Sequence, residues 1–255
     1  MCRLVLMNKK GEKEIEKRYG MQNFLNYLEK SFGGDGNGYA LMKNNKVIKI
    51  EKGLNLSTKD IAQKIKKINY DWCIFHTRYA SVGMKSNQNC HPFFRKGKFE
   101  SEEVMAMNGT ETSVGFISKV LEKTDTEAIL DLKVKYNLEL PALKKLGSIF
   151  VGFSNGKPYV VADNTSNIRL LKDGRNNAIV FASEFPDEIT GSIYKPTKCF
   201  IWNGEQIDMT NFKKCYPRKY KYNDYYFDTF PNYSWDDYYE DLYQKYYEEG
   251  EKDVA

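Results

Sequence analysis

The apolar residues of the chain fall into short runs whose spacing predicts a series of strands and helices. Continuous apolar runs are typical of buried strands, and a spacing of three or four residues is typical of helices. The predicted helices are residues 21–32, 57–68 and 126–135. The predicted strands are residues 3–7, 39–42, 47–50, 72–75, 148–154, 158–162 and 178–182, and a further short apolar run covers residues 105–107.

Cap and turn signals delimit several of these elements. An Asn-Asn pair at residues 44–45 separates two short strands, which indicates a β-hairpin. Ser57 or Thr58 is the predicted N-cap of the second helix, and Thr124 or Asp125 is that of the third.

The order of the elements favours a layered α+β domain. Strands occur in two groups with helices between and around them, without the regular strand–helix alternation of a dinucleotide-binding fold. A glycine-rich stretch at residues 33–38 predicts a flexible loop, and residues 11–19 are polar. We predict a main domain over residues 2–210 and an appended segment over residues 211–255.

The appended segment differs in composition from the main domain. It is dense in tyrosine between residues 216 and 247, and a basic cluster at 213–221 precedes an acidic one at 236–249. Such a Tyr-rich C-terminal extension is most often a packed or partner-binding surface. A stacking face for nucleic acid is the weaker alternative.

Charge and cysteine content narrow the class of protein. A formal net charge of +5 is by itself only a weak hint of an acidic partner. No apolar stretch approaches a membrane span, and the N-terminal run is too short for a secretory signal. The five cysteines are widely spaced, which argues against disulfides and structural zinc. We therefore expect a cytoplasmic protein without a metal or cofactor.

Cys2 differs from the other cysteines because of its position. Removal of Met1 would expose the α-amine of Cys2, whose reference pKa of about 7.7–8.0 leaves it partly neutral at physiological pH. Such an amine can accept the proton of the neighbouring thiol, so one residue supplies both nucleophile and base. A cysteine at position two alone is a weak signal of this chemistry.

Four motifs follow Cys2 in a fixed order. The motifs are residues 75–83 (Phe-His-Thr-Arg-Tyr-Ala-Ser-Val-Gly), 89–93 (Asn-Cys-His-Pro-Phe), 107–110 (Met-Asn-Gly-Thr) and 124–127 (Thr-Asp-Thr-Glu), and Phe-Ala-Ser-Glu follows later at residues 181–184. The four motifs resemble those of the class II glutamine amidotransferases, whose members carry His-Thr-Arg-(Trp/Tyr)-(Ala/Ser), Asn-x-His-Pro, Asn-Gly and Ser-Asp-Thr-Glu. Residues 181–184 resemble the family's closing strand.

The resemblance covers about residues 2–190. The opening Met-Cys-Arg-Leu and the Asp-Gly-Asn-Gly at residues 35–38 are similar to the stand-alone branch of this family. The fold that it implies is the four-layer αββα sandwich of N-terminal-nucleophile (Ntn) hydrolases. The activity that it implies is hydrolysis of the glutamine side-chain amide through a Cys2 thioester, which yields glutamate and ammonia.

The resemblance also implies roles for individual residues. Arg78 would hold the α-carboxylate of glutamine, because a guanidinium forms two parallel bonds to a carboxylate. Asp125 would accept from the α-ammonium. Tyr79, Ser81 and His91 would line the pocket.

The catalytic residues implied are Cys2, Asn108 and Gly109. The side-chain amide of Asn108 and the backbone N–H of Gly109 would form the oxyanion hole, where one donor is typically worth about 10²–10³ in rate. Only about sixty residues follow the matched region, so we expect a separate synthetase or transferase to accept the ammonia. The extension is then a candidate docking surface for that partner.

Other interpretations of these residues and of the function stay open. We expect a structural rather than a catalytic role for His76. Asn108 and Gly109 also form a common turn dipeptide. Asp125 can cap the helix that follows it. Met107 stands where many members have histidine, and Thr124 replaces the usual serine. Two alternative functions are a hydrolase of another γ-glutamyl amide and a catalytically silent glutamine-binding or regulatory protein.

Overall fold

The computed structural model describes residues 2–81, 83–97, 100–120, 122–162, 167–174, 177–189 and 192–215. These residues form thirteen strands and six α-helices. The strands are β1 (Arg3–Asn8), β2 (Asn37–Lys43), β3 (Lys46–Gly53), β4 (Trp72–Thr77), β5 (Phe93–Lys96), β6 (Glu102–Asn108), β7 (Ile149–Ser154), β8 (Lys157–Ala162), β9 (Arg169–Asp173), β10 (Ala178–Ala182), β11 (Ile193–Pro196), β12 (Phe200–Trp202) and β13 (Phe212–Lys214). The helices are α1 (Lys9–Arg18), α2 (Met21–Phe32), α3 (Thr58–Lys67), α4 (Gly115–Val120), α5 (Asp125–Tyr136) and α6 (Leu140–Leu143).

The strands form two antiparallel sheets. The first sheet has the order β13-β11-β9-β10-β1-β4-β2-β3, and the second has the order β12-β8-β7-β6-β5. The chain is thus a mixed α/β protein, as the order of predicted elements indicated. Strand β1 lies in the interior of the first sheet, between β10 and β4.

Three apolar cores separate the layers. Alternate residues of β1 face opposite sides of the first sheet, so Val5 and Met7 pack with helices α1–α3, whereas Leu4 and Leu6 pack against the second sheet. The outer face of the second sheet packs on α5, where Met105 of β6 lies in one cluster with Leu130. Helices α1–α3, the two sheets and α5 therefore follow one another across the molecule.

The predicted helices and strands are confirmed, and the structure selects between their alternative caps. The side chain of Ser57 accepts from the backbone N–H of Asp60 at the start of α3, and that of Thr124 accepts from Glu127 at the start of α5. The polar stretch at residues 11–19, for which no element was predicted, contributes to helix α1.

The predicted extension is only partly covered by the described residues. Strand β13 pairs with β11, so residues 212–214 belong to the first sheet. The Tyr-rich segment from residue 216 onward lies outside the described residues. In the described part of the chain no helix is long and apolar enough to cross a bilayer.

A buried ion pair fixes α5 on the second sheet. Lys133 of α5 donates to Glu103 of β6 at 2.8 Å, and both side chains are only 7% exposed. Ser154 of β7 donates to the other Glu103 oxygen at 2.8 Å. Removing one partner leaves the other charge buried without compensation.

We predict that Lys133→Ala lowers the free energy of unfolding by about 3–5 kcal/mol, because Glu103 would keep a buried, unpaired charge. Urea denaturation followed by circular dichroism measures this loss. Lys135→Ala, at an exposed position of the same helix, is the matched control and should change little. Equal stability of the two variants would contradict the assigned role of the pair.

Candidate active site

The register of β1 on β4 places Cys2 beside the residues that follow β4. Arg3 is paired with Thr77, so Cys2 stands next to Arg78 and Tyr79. The Cys2 thiol donates to the Tyr79 carbonyl at 3.4 Å, and the Tyr79 N–H donates to the Cys2 sulfur at 3.3 Å. The sulfur is therefore held by the backbone of the neighbouring strand end.

The surroundings of Cys2 keep its thiol protonated in the resting protein. Burial raises the pKa of the Cys2 thiol, against the opposing effects of the Tyr79 hydrogen bond and the positive charge of Arg78. The side chain is 7% exposed. A thiolate at this position therefore needs a proton acceptor close to the sulfur.

Arg78 is buried and fixed by backbone carbonyls. Its guanidinium donates to the carbonyls of Met84 at 3.0 Å and Gly83 at 3.1 Å. Its own backbone N–H donates to Gly36 at 2.8 Å, and its carbonyl accepts from Asp35 at 2.9 Å. The glycine-rich loop before β2 thus positions the cation of the site.

Asp125 supplies the opposite charge at the start of α5. One of its carboxylate oxygens accepts from the backbone N–H of Glu111 and the other from that of Thr126, each at 2.9 Å. Burial raises the pKa of this carboxyl, and the two N–H donors act against that rise. A carboxylate oxygen can accept more than one hydrogen bond, so Asp125 can still receive a ligand's donor.

Asn108 ends β6 beside this site, and Gly109 follows it. The Asn108 amide donates to the Ser183 hydroxyl at 3.3 Å, and Leu4 of β1 donates to the same hydroxyl at 3.0 Å. The other polar atom of the Asn108 side chain is buried without a partner among the described residues. Gly109 has a φ of 144°, and a Cβ there would lie 2.2 Å from the Ser148 hydroxyl oxygen.

His91 borders the site through its imidazole. Its Nε2 lies 2.7 Å from the Thr126 hydroxyl. Burial, with the neighbouring His76 as a smaller cause, lowers the pKa of His91 well below its ordinary value, so the ring is neutral. The Ser81 hydroxyl, which also lines the pocket, lies 3.1 Å from that of Thr110.

One pocket unites most of the predicted site residues. The empty space at this pocket, open solvent included, amounts to about 260 Å³. Of the eight predicted residues Asn108 does not line it; the seven that do are Cys2, Arg78, Tyr79, Ser81, His91, Gly109 and Asp125.

Sequence reasoning assigned no role to several residues that complete the site. Thr126 lines the pocket and contacts His91. Ser183 joins Asn108 to β1, and the Asp35 carboxylate accepts from the Ala80 N–H at 2.8 Å. All three lie within the motifs of the sequence, but their roles depend on contacts between distant segments.

The pocket is suited to a small zwitterion. A buried guanidinium and a buried carboxylate offer complementary partners for an α-carboxylate and an α-ammonium. Cys2 lines the same pocket and offers a nucleophilic sulfur. The arrangement can therefore hold an amino acid while its side chain meets a thiol.

The comparisons with known proteins support the fold. No protein-family model and no curated protein matches the sequence. A solved structure described as the allosteric regulatory enzyme of purine biosynthesis aligns with a TM-score of 0.52 and 18% identity, over 72% of this chain and 42% of that one. The chain shares the fold of the part of that structure with which it aligns.

Two further solved structures resemble the chain at lower TM-scores. Glutamine phosphoribosylpyrophosphate amidotransferase from B. subtilis aligns at 0.48, with 17% identity over 72% of this chain and 42% of that one. A class-II domain protein described as a glutamine aminotransferase, from Silicibacter pomeroyi, aligns at 0.47, with 14% identity over 80% of this chain and all of that one. The chain thus spans less than half of the first two proteins.

We predict that Gly109→Ala lowers the free energy of unfolding by about 1–3 kcal/mol, because the added methyl group collides with Ser148 and the backbone is strained. Thermal and urea denaturation measure the change. Gly147→Ala, where a Cβ meets nothing within 4 Å, is the control. A Gly109→Ala protein as stable as the control would show that this turn is not constrained as described.

Proposed function

We propose that this chain is a class II glutamine amidotransferase domain with the four-layer Ntn-hydrolase sandwich. In this proposal Cys2 attacks the side-chain amide of glutamine, and water then releases glutamate from the thioester. The order of helices, two sheets and helix across three cores supports the fold. The observation that carries the function is that Cys2, Arg78 and Asp125 line one pocket.

The reaction begins with substrate orientation. Arg78 holds the α-carboxylate of glutamine and Asp125 accepts from its α-ammonium, which directs the γ-amide toward the sulfur of Cys2. Tyr79, Ser81 and His91 complete the walls of the pocket. Holding the reacting atoms in this way removes much of the entropic barrier of a reaction between two molecules.

The thiol needs a base because burial raises its pKa. Once residue 1 has been removed, the α-amine of Cys2 accepts the thiol proton and the sulfur attacks the amide carbon. The oxygen of that amide becomes an oxyanion, which Asn108 and the Gly109 N–H stabilise. The amine returns its proton to the leaving nitrogen, so ammonia departs and a thioester remains.

Water completes the cycle. The amine takes a proton from a water molecule, which attacks the thioester carbon, and the sulfur leaves as its proton is restored. The products are glutamate and a free Cys2. That a separate synthetase or transferase receives the ammonia, and that residues 211–255 dock it in the cytoplasm, remain predictions from sequence.

Turnover of glutamine tests the proposal. We predict that the protein releases glutamate and ammonia, and that Cys2→Ala reduces kcat by about 10⁴-fold or more, as loss of a nucleophile does elsewhere. Cys199→Ala, outside the pocket lining, is the control. Faster turnover of γ-glutamyl conjugates than of glutamine would reassign the substrate, and glutamine binding without glutamate release would indicate a silent protein.

Carboxylate recognition gives a second prediction. Arg78→Lys should raise KM for glutamine about 10- to 100-fold, because one charged, two-point contact is worth about 1.5–3 kcal/mol. Arg95→Lys is the matched control, since Arg95 pairs with Asp131 and Glu127 of α5 and does not line the pocket. An unchanged KM in Arg78→Lys would remove Arg78 from substrate binding.

A further inference from the structure

The two histidines of the chain lie against each other beside the pocket. The ring centroids of His76 and His91 are 4.1 Å apart, and the rings are inclined by 33°. The residues are 0% and 4% exposed. The loop between β4 and β5 separates them in sequence, so their contact is a product of the fold. We call these two residues the imidazole pair.

His76 joins the two sheets at the catalytic end. It lies on β4 of the first sheet, on the same face as Ile74, which packs in the core between the sheets. Its Nε2 lies 3.0 Å from the carbonyl oxygen of Met107 on β6 of the second sheet. A carbonyl oxygen only accepts, so Nε2 carries the hydrogen and donates it.

The bond from His76 fixes one particular peptide unit. The Met107 carbonyl and the Asn108 N–H belong to the same planar group. Its orientation sets the direction in which Asn108 leaves β6 and the position of Gly109 behind it. A change at His76 is therefore transmitted to both proposed oxyanion donors.

His91 supports this arrangement from the other side. Its Nε2 contacts the hydroxyl of Thr126, the residue after Asp125. Its own carbonyl packs so closely on β2 that a Cβ at Gly38 would lie 2.1 Å from it. Its ring packs at 76° to that of Phe93, with the ring centroids 4.8 Å apart. The imidazole pair thus connects the strand before Arg78, the strand before Gly109 and the helix of Asp125.

Packing alone does not account for the imidazole pair. Burial lowers the pKa of His76 to about 3, so the ring is neutral and its Nδ1 is a bare acceptor. The Nδ1 atoms of both rings are buried without a partner in the described part of the chain, which costs free energy. Apolar side chains would fill the same space without that cost.

We propose that His76 is a positioning residue for amide hydrolysis, which orients the oxyanion hole by holding the Met107–Asn108 peptide from the opposite sheet. The proposal rests on the proposed function. It assigns His76 no contact with the substrate and no proton transfer. Loss of His76 should lower kcat rather than raise KM, because Arg78 and Asp125 make the proposed contacts to the α-carboxylate and α-ammonium of the substrate.

Kinetics of three variants test the proposal. His76→Met keeps much of the volume and removes the donor, so we expect kcat for glutamine to fall about 10- to 100-fold with KM nearly unchanged. His76→Gln restores an N–H at a similar reach and should recover most of the loss. Ile74→Val, on the same strand and face, controls for lost packing. Equal kcat in His76→Met and Ile74→Val would overturn the proposal.

Two further measurements separate positioning from general damage. Alkylation of Cys2 by iodoacetamide displaces iodide from carbon and forms no oxyanion, so His76→Met should leave its rate unchanged. If His76 acts through Asn108, the His76→Met change should cost much less in an Asn108→Ala background than in the wild type. A fall in alkylation equal to the fall in kcat, or full additivity of the two changes, would contradict this role.

NMR of the imidazole rings in the wild-type protein tests the His76 hydrogen bond without any measurement of turnover. With two histidines in the sequence, ¹H–¹⁵N correlation across each ring identifies its tautomer. We expect the neutral Nε2–H form for His76 between about pH 5 and pH 8, the range in which an unperturbed histidine titrates. The Nδ1–H form, or titration in this range, would show that His76 does not donate from Nε2 to the Met107 carbonyl and would overturn the proposal. Failure of the wild type to hydrolyse glutamine would instead refute the proposed function. The spectrum would still show whether His76 donates to the Met107 carbonyl.

Discussion

The antiparallel pairing of β1 with β4 determines where the Cys2 thiol lies. Because Arg3 pairs with Thr77 in the interior of the first sheet, Cys2 is fixed next to Arg78 and Tyr79. A shift of one residue would turn each side chain of β1 to the opposite core. The apolar cores on both faces of β1 therefore hold the geometry of the pocket.

Burial raises the pKa of the Cys2 thiol, so a nucleophilic sulfur at this position depends on a nearby base. A buried sulfur resists ionisation, and the described side chains of the pocket offer no charged imidazole to assist it, since burial keeps His91 neutral. In the proposed reaction, the α-amine of Cys2 after removal of residue 1 is the base closest to the sulfur in the covalent structure. Arg78 and Asp125 are then the charged groups proposed to hold the substrate.

The sequence predicted those parts of the fold that depend on local spacing. Helices α2 and α3 and the long strands carry regular apolar patterns, and α5 is indicated by its N-cap. Seven of the eight predicted site residues line one pocket. Helix α1 was missed because Ile15 is its only large apolar buried residue. Gly11, which indicates a turn in sequence, permits close packing instead, since a Cβ there would lie 2.5 Å from the Ile179 carbonyl.

Contacts between distant segments could not be predicted from one sequence. The bond from Asn108 to Ser183 spans 75 residues, and that from His76 to Met107 spans 31. Both depend on how the two sheets face each other, which no local pattern encodes. The same holds for Thr126, whose motif position was visible but whose contact with His91 was not.

Intact mass spectrometry shows directly whether Cys2 is the nucleophile. The intact masses of the protein and of its Cys2→Ala variant are measured before and after treatment with the glutamine-like electrophile 6-diazo-5-oxo-norleucine. We expect loss of the initiator methionine and a single adduct that the variant lacks. A retained methionine without an adduct, or an adduct that persists in Cys2→Ala, would contradict this role of Cys2.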